Sequence, residues 1–72
     1  MQLTAEFDRE SDGRWMVSVL ELPGVHAYGA SREEAFRSAM ALSYSVLADE
    51  IEHGERDPRS LVSLAFVERE AA

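Results

Sequence analysis

The chain opens on strict alternation. Residues 2 to 8, QLTAEFD, place Leu3, Ala5 and Phe7 on one side and Gln2, Thr4 and Glu6 on the other, the period-two pattern of a half-buried strand. Asp12-Gly13 then signals a reversal, because glycine tolerates the positive φ that a tight hairpin demands. The second run, Arg14 to Leu22, is apolar both ways: Trp15, Val17 and Val19 point to one face, Met16 and Leu20 to the other. Pro23-Gly24 predicts a type II turn, with proline fixing φ at its first central position and glycine supplying positive φ at the second. VHAY, residues 25 to 28, reads as a short third strand, and Gly29 as the point where its ladder breaks.

The period then changes. Ser31 is a strong helix N-cap, Glu34 completes a capping box, and Glu33 and Glu34 suit the positive end of the helix dipole. Ala35, Phe36, Ala39, Met40, Leu42, Val46, Leu47 and Ile51 recur at spacings of three and four, one apolar stripe of an amphipathic helix. His53-Gly54 fits its C-terminus. ERDPRS is the connecting loop, broken by Asp57-Pro58. Leu61 to Val67 alternates again, predicting a last strand with Val62, Leu64 and Phe66 on one face and Leu61, Ala65 and Val67 on the other; EREAA follows as a polar tail.

The order is β-β-β-α-β, an α+β, two-layer domain. The first three strands form an antiparallel meander, and the helix returns the fourth parallel to the first. A single helix covers one side of such a sheet, whereas strands two and four carry apolar residues on both. The uncovered side is therefore expected to dock against something outside the chain.

Length sharpens this. At 72 residues the chain is expected to form one domain, 1–72, near the lower limit for an independent core. With no cysteine, neither disulfides nor thiolate metal sites can add stability, so a homo-oligomer, dimer or tetramer, is expected. No apolar stretch reaches the roughly 18 residues of a membrane span, and no leader-like N-terminus is seen, so the expected location is cytoplasmic. The net charge of -7, fourteen acidic residues against seven arginines, disfavours direct binding to a phosphate backbone and suits a basic protein partner.

Four pieces, in order, carry a resemblance: the charged turn ending in Gly13 before an aromatic strand, the Leu22-Pro23-Gly24 turn, Gly29 ahead of the Ser31 cap, and Glu34-Ala35 opening the helix. Over about residues 3 to 67 the chain resembles the HicB-like antitoxin domain of bacterial HicA–HicB toxin–antitoxin pairs. The resemblance implies a truncated RNase H-like sheet with one main helix. It further implies that the chain binds and masks a small, basic, RNA-cleaving HicA-like toxin. Longer members add a C-terminal operator-binding domain, which this chain is not expected to have. The alternative is a solitary homo-oligomeric domain of the same fold without a toxin.

An RNase H-like outline raises the question of a metal-dependent nuclease, which needs carboxylates converging from the first strand, the helix and the fourth strand. Glu6, Asp8 and Glu34 could serve the first two, but the expected fourth strand holds no carboxylate, Glu68 lying beyond its end. His26 and His53 lack metal-ligand spacing, and Ser18, Ser38, Ser43, Ser45, Ser60 and Ser63 lack a nucleophile motif. The chain is therefore read as non-catalytic, with no cofactor and no metal. The candidate partner-binding residues are Glu6, Asp8, Trp15, Met16, Leu20 and Tyr28. The acids would steer a basic partner. Trp15 reads first as core and becomes an anchor, like Tyr28, only on the uncovered face.

Overall fold

The computed structural model describes residues 1–71. The elements are β1 (Gln2–Arg9), β2 (Trp15–Val19), β3 (His26–Gly29), α1 (Arg32–Glu52), a 3-10 turn (Pro58–Leu61) and β4 (Ala65–Glu70). They form one four-stranded sheet in the order β3-β2-β1-β4. β1 pairs antiparallel with β2 and parallel with β4, and β2 pairs antiparallel with β3. This is a small α+β domain with a mixed sheet and one main helix.

Local chemistry sets the turns. Gly13 sits at φ 91° and donates to the Glu10 carbonyl, closing the first hairpin. The Val25 amide donates to the Leu22 carbonyl at 3.0 Å across Pro23-Gly24, with Gly24 at φ 85°, the geometry of the expected type II turn. This turn folds Leu22 and Val25 back into the core and ends β2 at Val19, three residues sooner than the apolar run suggests. Glu21 takes over where β2 stops. Its carboxylate accepts from the Thr4 amide at 2.6 Å and the Thr4 hydroxyl at 2.7 Å, a fork on the side of Thr4 where β2 has ended.

Ser31 caps α1 as expected, its hydroxyl accepting from the Glu34 amide at 3.1 Å. The helix runs to Glu52, with His53 at the C-cap and Gly54 at φ 71°. Its buried residues are Ala35, Ala39, Ser43 and Leu47, every fourth position and mostly small, so the helix sits close to the sheet. Ser43 is not part of the apolar stripe; its hydroxyl donates to the Ala39 carbonyl at 2.8 Å, satisfying it without a distant partner. Leu42, assigned to the stripe, is exposed instead.

Gly29 does not break the ladder. It pairs with Trp15, and a Cβ there would lie 2.5 Å from the Ala35 nitrogen. Glycine is needed because the first turn of α1 presses directly onto β3.

The fourth strand departs most from expectation. Asp57 accepts from the Arg59 amide at 3.0 Å and caps the 3-10 turn, which absorbs Leu61. Val62 is left 80% exposed. β4 begins only at Ala65, opposite Gln2, and takes in Glu68, Arg69 and Glu70, the supposed polar tail. β1 extends beyond the apolar run of the last segment, and its backbone groups need partners up to Phe7; an edge strand accommodates charged side chains.

The core is Leu3, Ala5, Phe7, Val17, Val19, Leu22, Val25, Ala35, Ala39 and Leu47. α1 lies mainly over β3 and β2 and only brushes β1.

Candidate functional site

The pairing register sorts the sheet into two faces. Phe7 is opposite Val17 and Val17 opposite Ala27, all toward α1. Arg9, Trp15 and Gly29 share that side. The outer face carries the intervening rungs: Asp8, Met16 and Tyr28 on one; Glu6, Ser18 and His26 on the next, continued by Arg69 of β4; then Thr4 beside Val67.

Four of the six sequence-predicted residues, Glu6, Asp8, Met16 and Tyr28, thus share the outer face. Leu20 follows directly after β2, its amide donating to the Thr4 carbonyl at 3.1 Å and its side chain 44% exposed. Trp15 is on the opposite face, half-buried against the core with the Arg9 guanidinium 5.3 Å from its ring centroid. It does not join the others, because its position in the ladder makes it a neighbour of Gly29 and not of Tyr28.

The outer face is less apolar than the sequence suggests. β1 contributes only Gln2, Thr4, Glu6 and Asp8, and β2 adds Ser18 between Met16 and Leu20. The exposed apolar groups, Tyr28 at 43% and Val67 at 42% among them, are separated by this polar centre. A face so constructed tolerates water, so the core does not require that it be covered.

Its charges are unequal. Glu6 is held by Arg69 at 2.6 and 2.8 Å, whereas among the described residues Asp8 has no ion pair. Arg14 stands over the Tyr28 ring at 4.7 Å, tied back by Asp12 at 2.9 Å. The Arg14 amide holds the Asp12 carboxyl below its ordinary pKa; burial opposes it, and the Arg14 guanidinium adds to the lowering. Burial raises Glu21, but the Thr4 hydroxyl and amide together outweigh it and leave that carboxyl lowered. His26 meets Tyr28 edge-on, 6.2 Å between centroids.

The carboxylates do not converge. With β4 moved along the chain, the fourth strand does hold acids, Glu68 and Glu70, which corrects the expectation of none. They face the α1 side, where Arg32 takes both at 3.3 and 2.6 Å, while Glu6 and Asp8 face outward. His26 is on the sheet, and His53 is at the helix end with Nδ1 2.8 Å from the Asp49 carbonyl oxygen. Among the described residues no three His, Cys, Asp or Glu side chains are grouped to hold a metal. An open depression of about 510 Å³ runs along the C-terminal half of α1, lined by Leu42, Ser45, Val46, Asp49, Glu50 and Glu55. Arg56 already neutralises Glu50 there at 2.5 Å.

Sequence reasoning missed Arg14, Val67 and Arg69 as members of the outer face. Arg14 had a signal, being directly before Trp15 at a hairpin; Arg69 had none, since only pairing with β1 brings it beside Glu6. Among the described residues no helix is long and apolar enough to cross a membrane. No protein-family model matches the chain, and no curated protein or solved structure matches it either.

Proposed function

We propose that this chain is a non-catalytic protein-binding module of the HicB-like antitoxin kind, with a truncated RNase H-like sheet. Its outer face binds and masks a small, basic, RNA-cleaving toxin in the cytoplasm. The carrying observation is the rung Asp8–Met16–Tyr28: among the described residues, an acid without an ion-pair partner, next to two apolar side chains, on a face that no other element covers. Such a rung supplies the parts of an interface centre, an aromatic anchor with a charge that steers a basic partner. The net charge of -7 acts in the same direction over longer range.

The test mixes the purified protein with the product of a short basic reading frame neighbouring its gene and follows RNA cleavage. Inhibition by the wild type, weakened at least about tenfold by Asp8→Lys as expected of losing a steering charge and gaining a like one, supports the reading. Absence of both a complex and inhibition ends it.

A second reading is a solitary homo-oligomer, favoured by the exposure of Leu20, Tyr28 and Val67. Both readings allow self-association, so the toxin-like neighbour and its inhibition separate them, and light scattering gives the mass. Self-association abolished by Tyr28→Ser, with no toxin-like neighbour, selects the second.

A further inference from the structure

β4 is held differently along its two halves. The first half is anchored by apolar packing. Leu64 and Phe66 pack on the core, Phe66 meets Tyr44 at 6.0 Å between ring centroids, and the Ala65 amide donates to the Met1 carbonyl at 3.0 Å. From Val67 onward the strand side chains are exposed, and charge takes over. Glu68 and Glu70 reach to Arg32, whose guanidinium is 3.7 Å from the Phe7 ring centroid. Arg69 reaches the other way, to Glu6. The Ala71 amide closes the segment on the Phe7 carbonyl at 2.8 Å. The body of α1 lies over β3 and β2, and at this corner the helix contributes the Arg32 side chain and the Phe36 ring against Phe7.

We infer that residues 67–71 form a releasable strap, and that the β1 edge beneath it, Ala5 to Phe7, is a docking edge for the same segment of a second copy. Ion pairs between exposed side chains hold weakly and are screened by salt, so the strap opens more readily than the helix-covered sheet. Opening leaves strand N–H and C=O groups unpaired, a template for another strand. The chemistry of the edge selects the occupant. It presents a cation, Arg32, on one face and an anion, Glu6, on the other, so the incoming strand must alternate acid, base, acid. Glu68-Arg69-Glu70 of another copy meets that requirement, and reciprocal exchange closes a two-fold pair. This deepens the expected self-association; it shares Glu6, Val67 and Arg69 with the outer face, but it is tested apart from the toxin reading, since the docking surface is the backbone edge of β1 and no toxin enters the test.

The first measurement is amide exchange on the wild-type protein. Between about 0.05 and about 0.5 M salt the screening length shortens severalfold. Amides of the 67–71 segment are expected to exchange about three- to tenfold faster at the higher salt, as three weak pairs are screened, with Val17 and Val19 unmoved. Equal, salt-independent protection of the two regions overturns the strap.

The second measurement uses two chains, Arg32→Glu and the double variant Glu68→Arg/Glu70→Arg. Each alone opposes like charges within the strap; mixed, each restores the other's pairs in trans. The expected result is a one-to-one complex of twice the 8.0 kDa chain mass at low salt, dissolved by raising salt. Two chains that stay monomeric when mixed overturn the docking edge. Glu6→Gln, which removes only the outward pair, guards against misfolding of the reversed chains: it is expected to speed exchange of the strap in the otherwise intact protein, and no change counts against the inference.

Discussion

The two sides of this sheet are stabilised by different physics. On the β2–β3 side the helix lies directly over the strands, and Val17, Val19, Ala35, Ala39 and Leu47 are almost wholly removed from water. On the β4 side one strand pairs only with β1, is exposed along most of its length, and is clipped by Arg32 and Glu6. Burial of apolar surface gives stability that resists salt and pH, whereas exposed ion pairs contribute little and only while charged and unscreened. The first side therefore maintains the fold, and the second is free to vary.

That contrast can be broken most directly by truncation. Phe7 is 1% exposed and packs against Phe36 at 5.6 Å between ring centroids, so Phe7→Ala is expected to cost about 3–5 kcal/mol. A 72-residue chain has only about 4–10 kcal/mol in total, so much of the folded population should be lost in a urea titration. Val67→Ala on β4 should cost within about 0.5 kcal/mol. Similar losses at the two positions would erase the distinction.

Next in size is Gly29→Ala. The added Cβ meets backbone atoms of Glu34 and Ala35, which cannot rotate aside, so the start of α1 must lift from β3. Overpacking of this kind costs about 1–3 kcal/mol, read as a lower denaturation midpoint. Ser31→Ala removes the cap of the same helix and should cost about 1 kcal/mol. An unchanged midpoint for both would mean that the β3–α1 contact is not the rigid one.

The smallest effect concerns Glu21. Its carboxyl is lowered in the folded chain, so the unfolded state binds the proton more readily. Its contribution is fully present above the unfolded-state value and is lost as pH falls through the lower folded one. The stability advantage of wild type over Glu21→Gln should thus exist at pH 7 and fade in the acid range. A pH-independent difference would assign the effect to packing.

Much of the fold is legible where neighbours in sequence decide it. Ser31 with Glu34, Gly54, and Leu22-Pro23-Gly24-Val25 each determine their own hydrogen bonds, so the helix limits and both reversals can be read directly. Leu3, Ala5 and Phe7 alternate against polar partners, and the hairpin carries that parity into β2. This is why Trp15 could be grouped with Val17 and Val19, and Met16 with Leu20, from the sequence. Which of those two sides meets the helix could not be read, because β2 is apolar on both and parity alone does not decide it. Ser43 escaped notice because a hydroxyl bonded within its own helix buries as readily as alanine, which no hydrophobicity pattern records.

By itself the sequence determined the element order, the two turns, the helix with its caps, and the acidic character of the chain, since all of these depend on residues within a few positions of one another. The tertiary structure decided where β4 begins, that Gly29 lies beneath a helix, and that Glu68, Arg69 and Glu70 belong to the sheet. Those features depend on β1 and α1, tens of residues away. An alternating run such as Leu61 to Val67 carries no mark of its register until another strand supplies the partners for its backbone.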